Sequence, residues 1–355
     1  MRSIISVCIL TLFFSCSEKK KEVAKQPEKA IAEVSIQTIF NDSISIRAIA
    51  ITPENDLVYG GNKTTIGHYN TTSNQHKNLL KGKVADSLNV SFRAVAFANE
   101  HTFGISIANP ALLYKISTDG TVKLVYEETN EKVFYDAIAF WNDKEGIVMG
   151  DPTEDCISII ITRDGGNTWK KISCDNLPKA IAGEAAFAAS NTNISIIGNE
   201  TWIATGGKAS RILYSADKGN TWEVFETPII QGIETTGMYS VDFYDAKNGF
   251  AIGGDYTKAD ANEANKIRTS NGGKTWKIVA KNQNPGYRSC VQYVPNSNAK
   301  ELIAVGFKGI DYSNDAGNTW KQLSDEGFYT IRFLNDSTAY AAGKNRIAKL
   351  LFNRK

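Results

Sequence analysis

Residues 162–169 read Thr-Arg-Asp-Gly-Gly-Asn-Thr-Trp, and this eight-residue pattern recurs three times further along the chain. The other copies are Ser-Ala-Asp-Lys-Gly-Asn-Thr-Trp at 215–222, Thr-Ser-Asn-Gly-Gly-Lys-Thr-Trp at 269–276 and Ser-Asn-Asp-Ala-Gly-Asn-Thr-Trp at 313–320. An Asp or Asn side chain accepts hydrogen bonds from the following backbone and stabilises a turn. The Gly supplies a positive φ. Each copy therefore predicts a β-hairpin turn.

Two positions of the pattern have a predicted structural role. The Asp or Asn organises the turn, and the Trp returns on the next strand to bury a large ring between neighbouring units. These residues are Asp164, Asp217, Asn271 and Asp315 for the turns, and Trp169, Trp222, Trp276 and Trp320 for the buried rings.

A second element recurs around these turns: a short strand, a turn, and a strand of small residues ending in Gly. It occurs at 46–61, 92–107, 137–150, 185–207, 241–254, 287–306 and 330–343. Repeats at about 40–55 residues with four strand-sized segments each are typical of a propeller. The sequence predicts one all-β domain at 34–355, a seven-bladed β-propeller closed by an N-terminal strand at 34–40.

The eight-residue pattern is the Asp-box, or BNR repeat, and the chain resembles Asp-box propeller proteins. The segments 146–152, 183–190, 202–208, 253–256, 286–291 and 325–328 extend the likeness. Together they resemble bacterial proteins similar to the photosystem II stability/assembly factor, which are often labelled "oxidoreductase". The resemblance implies a non-enzymatic propeller scaffold.

Charged residues recur at the starts of the predicted innermost strands and after the second strands. Both positions open on one mouth of a propeller channel, and a concave mouth with convergent polar groups is the default binding site. The candidates are Arg47, Arg93, Asp136, Asp151, Glu184, Lys208, Asp255, Tyr256, Arg288, Lys308 and Lys344. Arginines suit a carboxylate or phosphate because their planar fork binds it through two hydrogen bonds. The predicted occupant is a protein client or an anionic ligand; solvated entrance loops are the alternative interpretation.

Two enzymatic interpretations stay open beside the scaffold. A sialidase-like glycoside hydrolase would use Arg47, Arg93 and Arg288 to grip a carboxylate, with Glu184 and Tyr287 at the reaction centre, yet the chain has no Arg-Ile-Pro segment. An oxidoreductase would need a cofactor, but no Gly-x-Gly-x-x-Gly or Cys-x-x-Cys-His segment occurs. We expect no cofactor and no metal site.

The sequence leaves open whether two of the cysteines downstream of residue 33 form a disulfide. Cys156 and Cys174 flank the first Asp-box hairpin at similar distances from its turn, so they are candidates for a disulfide. Two reduced strand cysteines are the alternative.

The first 33 residues predict export. Residues 4–14 form an apolar run too short for a membrane span, ending in Ser15-Cys16, which resembles a bacterial lipobox. We expect a signal peptide at 1–15, a lipid on Cys16 and a charged, disordered tether at 16–33. This places the protein in the bacterial cell envelope, anchored to a membrane. The net charge of +2 argues against nucleic acid as a partner.

The fifth unit contains a long polar connection between Gly254 and Ile267. Long loops in compact domains are usually functional or disordered. We expect this loop to form one wall of the mouth, with Tyr256 packed inward and Asp255 near the arginines; a tolerated surface insertion is the alternative.

Replacement of Cys16 by Ala tests the lipid anchor. The variant should leave the membrane fraction, because the predicted tether carries no second apolar anchor. Fractionation of cells that express wild type and variant measures this. A variant that stays with the membranes would contradict the anchor.

Overall fold

The computed structural model describes residues 29–82, 84 and 88–355. The predicted signal peptide 1–15, Cys16 and the tether up to residue 28 lie outside these residues. Within them the chain forms 29 β-strands and two 3-10 helices, Cys174–Asn176 and Tyr256–Lys258. No helix in these ranges is long and apolar enough to cross a membrane. Strand β1 begins at Ile31, so the folded chain starts slightly before the predicted boundary at residue 34.

Most strands form four-stranded antiparallel sheets, or blades, that follow one another along the chain. The first three are blades A, B and C. Blade A contains β1 (Ile31–Ile51), β2 (Leu57–Gly61), β3 (Thr65–Asn70) and β4 (Gln75–Leu80); blade B contains β5 (Phe92–Ala98), β6 (His101–Ser106), β7 (Ala111–Ser117) and β8 (Val122–Glu128); and blade C contains β9 (Tyr135–Phe140), β10 (Gly146–Gly150), β11 (Ser158–Thr162) and β12 (Lys170–Lys171).

The second half of the chain repeats this plan. Its strands are β14 (Ile194–Ile197), β15 (Glu200–Ala204), β17 (Arg211–Ser215) and β18 (Glu223–Glu226) in blade D; β19 (Thr236–Phe243), β20 (Gly249–Asp255), β21 (Lys266–Thr269) and β22 (Lys277–Ile278) in blade E; β23 (Cys290–Tyr293), β24 (Leu302–Gly306), β25 (Gly309–Ser313) and β26 (Lys321–Ser324) in blade F; and β27 (Thr330–Phe333), β28 (Thr338–Ala342) and β29 (Lys344–Arg354) in blade G. Two short strands, β13 (Glu184–Ala185) and β16 (Gly206–Gly207), pair with each other and extend the sheet of blade E, where β16 pairs with β19.

Strand β1 belongs to two blades. Its first half pairs with β29, for example Val34 opposite Phe352, and its second half pairs with β2, for example Ile49 opposite Tyr59. The innermost strand of each blade contacts that of the next, and β27 contacts β1. The chain is therefore an all-β propeller.

The fourth predicted unit was placed wrongly. The sequence predicts its innermost strand at 185–188, whereas the structure forms that strand at Ile194–Ile197. The small residues at 185–189 suggested a strand that crowds toward the axis. They belong instead to a segment that leaves the sheet and crosses the channel, described below as the axial segment, residues 185–193.

The Asp-box turns are built by the hydrogen bonds that the sequence predicts. Asp164 Oδ1 accepts the backbone N–H of Asn167 at 3.0 Å and of Thr168 at 2.9 Å. The Thr168 hydroxyl donates to Asp164 Oδ2 at 2.7 Å. Desolvation raises the pKa of Asp164, but these hydrogen bonds and one from Thr162 outweigh it and hold the pKa below its usual value. At the other boxes Asp217, Asn271 and Asp315 likewise accept the backbone N–H of the Thr four positions on. At the third box the side-chain bond is reversed, because Asn271 Nδ2 donates to the hydroxyl of Thr275.

The Asp-box tryptophans are less uniformly buried than the sequence predicts. Trp169 and Trp276 are buried, whereas Trp222 and Trp320 are partly exposed. All four pack against the hydrophobic clusters between neighbouring blades.

The last Gly of each Asp-box holds the turn against the preceding blade. Gly317 has a φ of +83°, and a Cβ added there would collide with the ring of Phe250 in blade E. The equivalent glycines of the other boxes are also close to side chains of the preceding blade; they are Gly166, Gly219 and Gly273. A missing Cβ therefore permits both the turn and the contact between blades.

Substitution of Gly317 by Ala should destabilise the domain through overpacking. Gly120 is the matched control, because it also has a positive φ, +94°, but has open space around the position of a Cβ. We expect Gly317→Ala to lower the free energy of unfolding by about 1–3 kcal/mol more than Gly120→Ala does. Urea denaturation measures both. Equal losses would show that backbone strain, and not the contact with Phe250, explains the glycine.

Candidate functional site

A cavity of about 410 Å³ opens where the innermost strands begin. Its wall takes residues from six blades and from the axial segment. They are Arg47, Arg93, Phe134, Asp151, Ala185, Ala186, Phe187, Ala188, Ala189, Glu234, Tyr239, Tyr256, Tyr287, Ser289, Phe307 and Tyr329. This volume lies in the range of small-molecule sites. The cavity is called the mouth below.

The axial segment closes the floor of the mouth by bonding to the free edges of the innermost strands. Asn191 Oδ1 accepts the N–H of Ile138 in blade C, and Asn191 Nδ2 donates to the carbonyl of Val95 in blade B, both at 2.8 Å. The carbonyl of Thr192 accepts the N–H of Val241 in blade E at 2.9 Å. One side chain and one carbonyl therefore join three blades.

Ser190 connects the same segment to the last two blades. Its hydroxyl donates to the carbonyl of Ser289 at 2.7 Å, and its own carbonyl accepts the hydroxyl of Thr330 at 2.9 Å. Arg332 Nη2 donates to the carbonyls of Asn191 at 3.0 Å and Ser190 at 3.2 Å. A second, polar cavity of about 290 Å³ borders Asn191 and Arg332.

The chain that leads into the axial segment is fixed to blade C. Cys156 and Cys174 form a disulfide with 5.5 Å between their Cα atoms. Cys156 also pairs through its backbone with Lys179. Asp151 Oδ1 accepts the N–H of Ala186 at 2.7 Å. These links hold the floor of the mouth in place without a ligand.

Two arginines on the wall have no partner among the described residues. Arg47 and Arg93 make no hydrogen bond and no ion pair there, although Arg47 Cζ lies 4.2 Å from the ring centre of Tyr329. Burial, followed by the charge of Arg47, lowers the pKa of Arg93. A guanidinium offers five N–H donors, and an anion in the mouth could accept from both groups.

Two carboxyl groups lie beside these arginines. Asp136 is completely buried and is not part of the cavity wall, and the backbone N–H of Ala188 in the axial segment faces its carboxyl group. Burial, then the charge of Asp151, raises its pKa well above the usual value. Burial also raises the pKa of Asp151 to about 6.

Aromatic rings cover the other side of the mouth. Phe187 stacks on Tyr239 with ring centres 3.8 Å apart, and Tyr287 meets Tyr239 edge-on at 4.8 Å. Phe307 continues the row 5.4 Å from Tyr287. Tyr256 contacts Tyr239 and Tyr287 with ring centres 6.4 Å away, and half of its surface stays exposed.

Sequence reasoning selected the charged residues and missed most of these rings. Tyr287 was considered only as a sialidase partner, and Phe134, Phe187, Tyr239, Phe307 and Tyr329 were not considered. A signal exists for two of them: Phe134 and Tyr329 each come directly before an innermost strand.

The predicted site residues divide into those that reach the mouth and those that do not. Arg47, Arg93, Asp151 and Tyr256 line it. Lys208 and Lys308 are exposed, the first 4.0 Å from Glu234 and the second 3.3 Å from Asp260. Lys344 is exposed at the start of β29.

Three predicted ligand-binding residues have protein partners instead. Glu184 is buried and accepts from Arg211 Nη2 at 2.6 Å, and Arg288 is buried and donates to Asp311 at 2.6 Å. Asp255 caps the 3-10 helix at Tyr256–Lys258 by accepting the N–H of Thr257 at 2.9 Å. A buried charge needs such a partner, and the three-arginine grip of a sialidase-like site therefore does not form.

The long connection of blade E contributes to the mouth through one residue. Tyr256 lies on the wall with half of its surface exposed, whereas Asp255 faces its own helix and not the arginines. Across residues 29–82, 84 and 88–355, no three His, Cys, Asp or Glu side chains converge to hold a metal ion.

The repeats, the blades and the mouth define the class of protein: a β-propeller of the Asp-box, or BNR, type. The chain is similar to the photosystem II assembly factor, since residues 117–228 match the family model described as "Photosynthesis system II assembly factor YCF48". No curated protein sequence matches the chain.

Solved structures share the fold at low sequence identity. "YCF48 bound to D1 peptide" superposes with a TM-score of 0.65 at 11% identity, covering 93% of this chain and 100% of that one. YCF48 from Cyanidioschyzon merolae gives 0.61 at 14%, covering 91% and 99%. A streptogramin B lyase gives 0.67 at 15%, covering 90% and 98%. At such identities the likeness shows the fold alone.

Replacement of Asn191 by Ala tests the axial segment. The change leaves the N–H of Ile138 and the carbonyl of Val95 without partners. Each buried group left unpaired lowers the free energy of unfolding by about 1–3 kcal/mol. Asn262 is the control, because its side chain bonds only to that of Asn284 at the surface. We expect urea denaturation to show a loss for Asn191→Ala that Asn262→Ala does not show. Equal stability of the two variants would mean that the segment does not join the blades.

Proposed function

We propose that the chain forms a seven-bladed propeller whose ring is closed by its N-terminal strand. The pairing of β1 with both β29 and β2 supports closure, because one strand then completes blade G and begins blade A. The contact of β27 with β1 supports it as well. A closed ring leaves no sheet edge free for pairing with another chain.

We propose that this propeller is a non-enzymatic scaffold that holds a protein client or an anionic group at the mouth. The single observation that carries this function is the pair Arg47 and Arg93, which line the cavity without a protein partner. A partly buried guanidinium group without a hydrogen-bond partner lowers the stability of the fold unless an anion binds to it. The aromatic rings opposite supply contact area, and tyrosines are enriched at protein interfaces.

The fold comparison supports a protein client in preference to a small anion. YCF48, a propeller of the same fold, has been solved bound to a D1 peptide. Four large apolar side chains with high exposure, Ile181, Ile233, Tyr256 and Phe307, occur in or next to the segments that line the mouth. A role as an assembly or stability factor for such a client follows from the family likeness.

We propose that the scaffold acts in the bacterial cell envelope, with its folded domain outside the cytoplasm and a lipid on Cys16 as the anchor. The disulfide between Cys156 and Cys174 supports an oxidising compartment, because disulfides are rare in the cytosol. The charged segment that precedes strand β1, which begins at Ile31, would act as the tether.

Crosslinking in intact cells tests the client site. Arg93→Gln should lose most of the client that wild type captures, because the variant removes a cation from the mouth and keeps a polar side chain. Arg163→Gln is the control, since Arg163 lies beside Trp141 and Glu145 and does not line the mouth. A client captured equally by Arg93→Gln and wild type would overturn the proposed site.

A further inference from the structure

The wall of the mouth carries charged side chains of both signs. Arg47 and Arg93 are cationic and Asp151 is anionic, whereas Glu234 is paired with Lys208 at 4.0 Å. A ligand with one charge of each sign can therefore meet the two arginines and Asp151 at the same time.

Asp151 supplies the acidic side of the mouth and has unused acceptor capacity. It lines the cavity and accepts a single hydrogen bond from the described residues, that of Ala186. A carboxylate has two oxygens that can accept several hydrogen bonds, and an ammonium group would supply three donors. Asp136 is completely buried and is not part of the wall, so a ligand in the mouth would contact Asp151.

The positive and negative groups come from one end of the blade order and the rings from the other. Arg47, Arg93 and Asp151 belong to blades A, B and C, whereas Tyr239, Tyr287 and Phe307 belong to blades E and F. Phe187 extends the rings across the floor. An occupant can therefore stack on the aromatic side while it presents charges to the other side.

We propose that the mouth selects an aromatic group that carries both an anionic and a cationic substituent, as a free aromatic amino acid does. The anion lies between Arg47 and Arg93, and the cation lies on Asp151. This inference rests on the proposed function, because it names the chemistry by which the client is anchored. A protein client would supply the same three groups as an acidic side chain and a basic side chain next to an aromatic residue.

Three small probes separate the contributions of the charges. L-phenylalanine carries both charges, 3-phenylpropionate only the anion and 2-phenylethylamine only the cation. Calorimetry on the full chain in detergent at about pH 7.5 should give L-phenylalanine a dissociation constant about tenfold below either analogue, which corresponds to about 1.4 kcal/mol. Equal affinity for 3-phenylpropionate would overturn the cationic subsite. A lack of measurable binding for all three would overturn the proposal as a whole.

Asp151→Asn tests the assignment of the cation. The amide oxygen can still accept from the N–H of Ala186, so the floor keeps its anchor while the charge is lost. L-phenylalanine should then bind no better than 3-phenylpropionate, whose own affinity should not fall. Asp260→Asn is the control, because Asp260 pairs with Lys308 outside the mouth and should leave all three constants unchanged. An equal loss for both probes in Asp151→Asn would assign Asp151 a structural role and overturn the proposal.

The pH dependence gives a second readout. The groups that face Asp151 are Asp136 on β9 and the N–H of Ala186, and Arg93 on β5 lines the same cavity. An ammonium group binds the ionised carboxylate, and burial raises the pKa of Asp151 to about 6. The preference for L-phenylalanine over 3-phenylpropionate should therefore be full above this pH and fade below it. A preference that persists unchanged at about pH 5 would overturn the role of Asp151.

The two proposals fail in different ways. If crosslinking captures a client through Arg93 but the probes show no preference, the dipolar site is wrong and the scaffold stands. If L-phenylalanine is preferred but no client is captured, the dipolar site stands and the scaffold function is wrong.

Discussion

The hydrogen bonds of residues 190–192 to the free edges of the innermost strands are the interaction on which the mouth depends. Each innermost strand has a partner strand on one side only, and backbone groups left unpaired inside a protein are costly. Asn191 satisfies two such groups on blades B and C, and Thr192 satisfies one on blade E. The same crossing gives the cavity a floor, so stability and the binding surface come from one segment.

The Asp-boxes serve a different purpose. Their aspartates close turns, and the glycine of each box lets the turn approach the blade before it. No Asp-box residue lines the mouth. The strongest sequence signal therefore explains how neighbouring blades stay together, and the weaker signals at strand starts explain what the protein could bind. This division agrees with the general observation that function lies in sites carried by a fold.

The repeats could be predicted because a turn of fixed chemistry leaves a local pattern, and the structure builds all four turns with the expected bonds. The axial segment could not be predicted, because Ala185–Ala189 has the small residues that also suit an innermost strand. The sequence assigns charged residues to the mouth only by their positions at the ends of predicted strands. Such positions cannot distinguish Arg93, which makes no ion pair, from Arg288, which is paired with Asp311. That pairing depends on a strand more than twenty positions away, so only the folded chain reveals it.

The central claim is that Arg47 and Arg93 are held unpaired above a preformed floor and await an anion. A crystal structure of the protein soaked in bromide tests this directly, because the anomalous signal of bromide locates bound anions. The account predicts a bromide peak between the two guanidinium groups, with residues 190–192 crossing the channel beneath it. Guanidinium groups paired with carboxylates of the chain itself, with bromide found only at exposed lysines, would contradict the account.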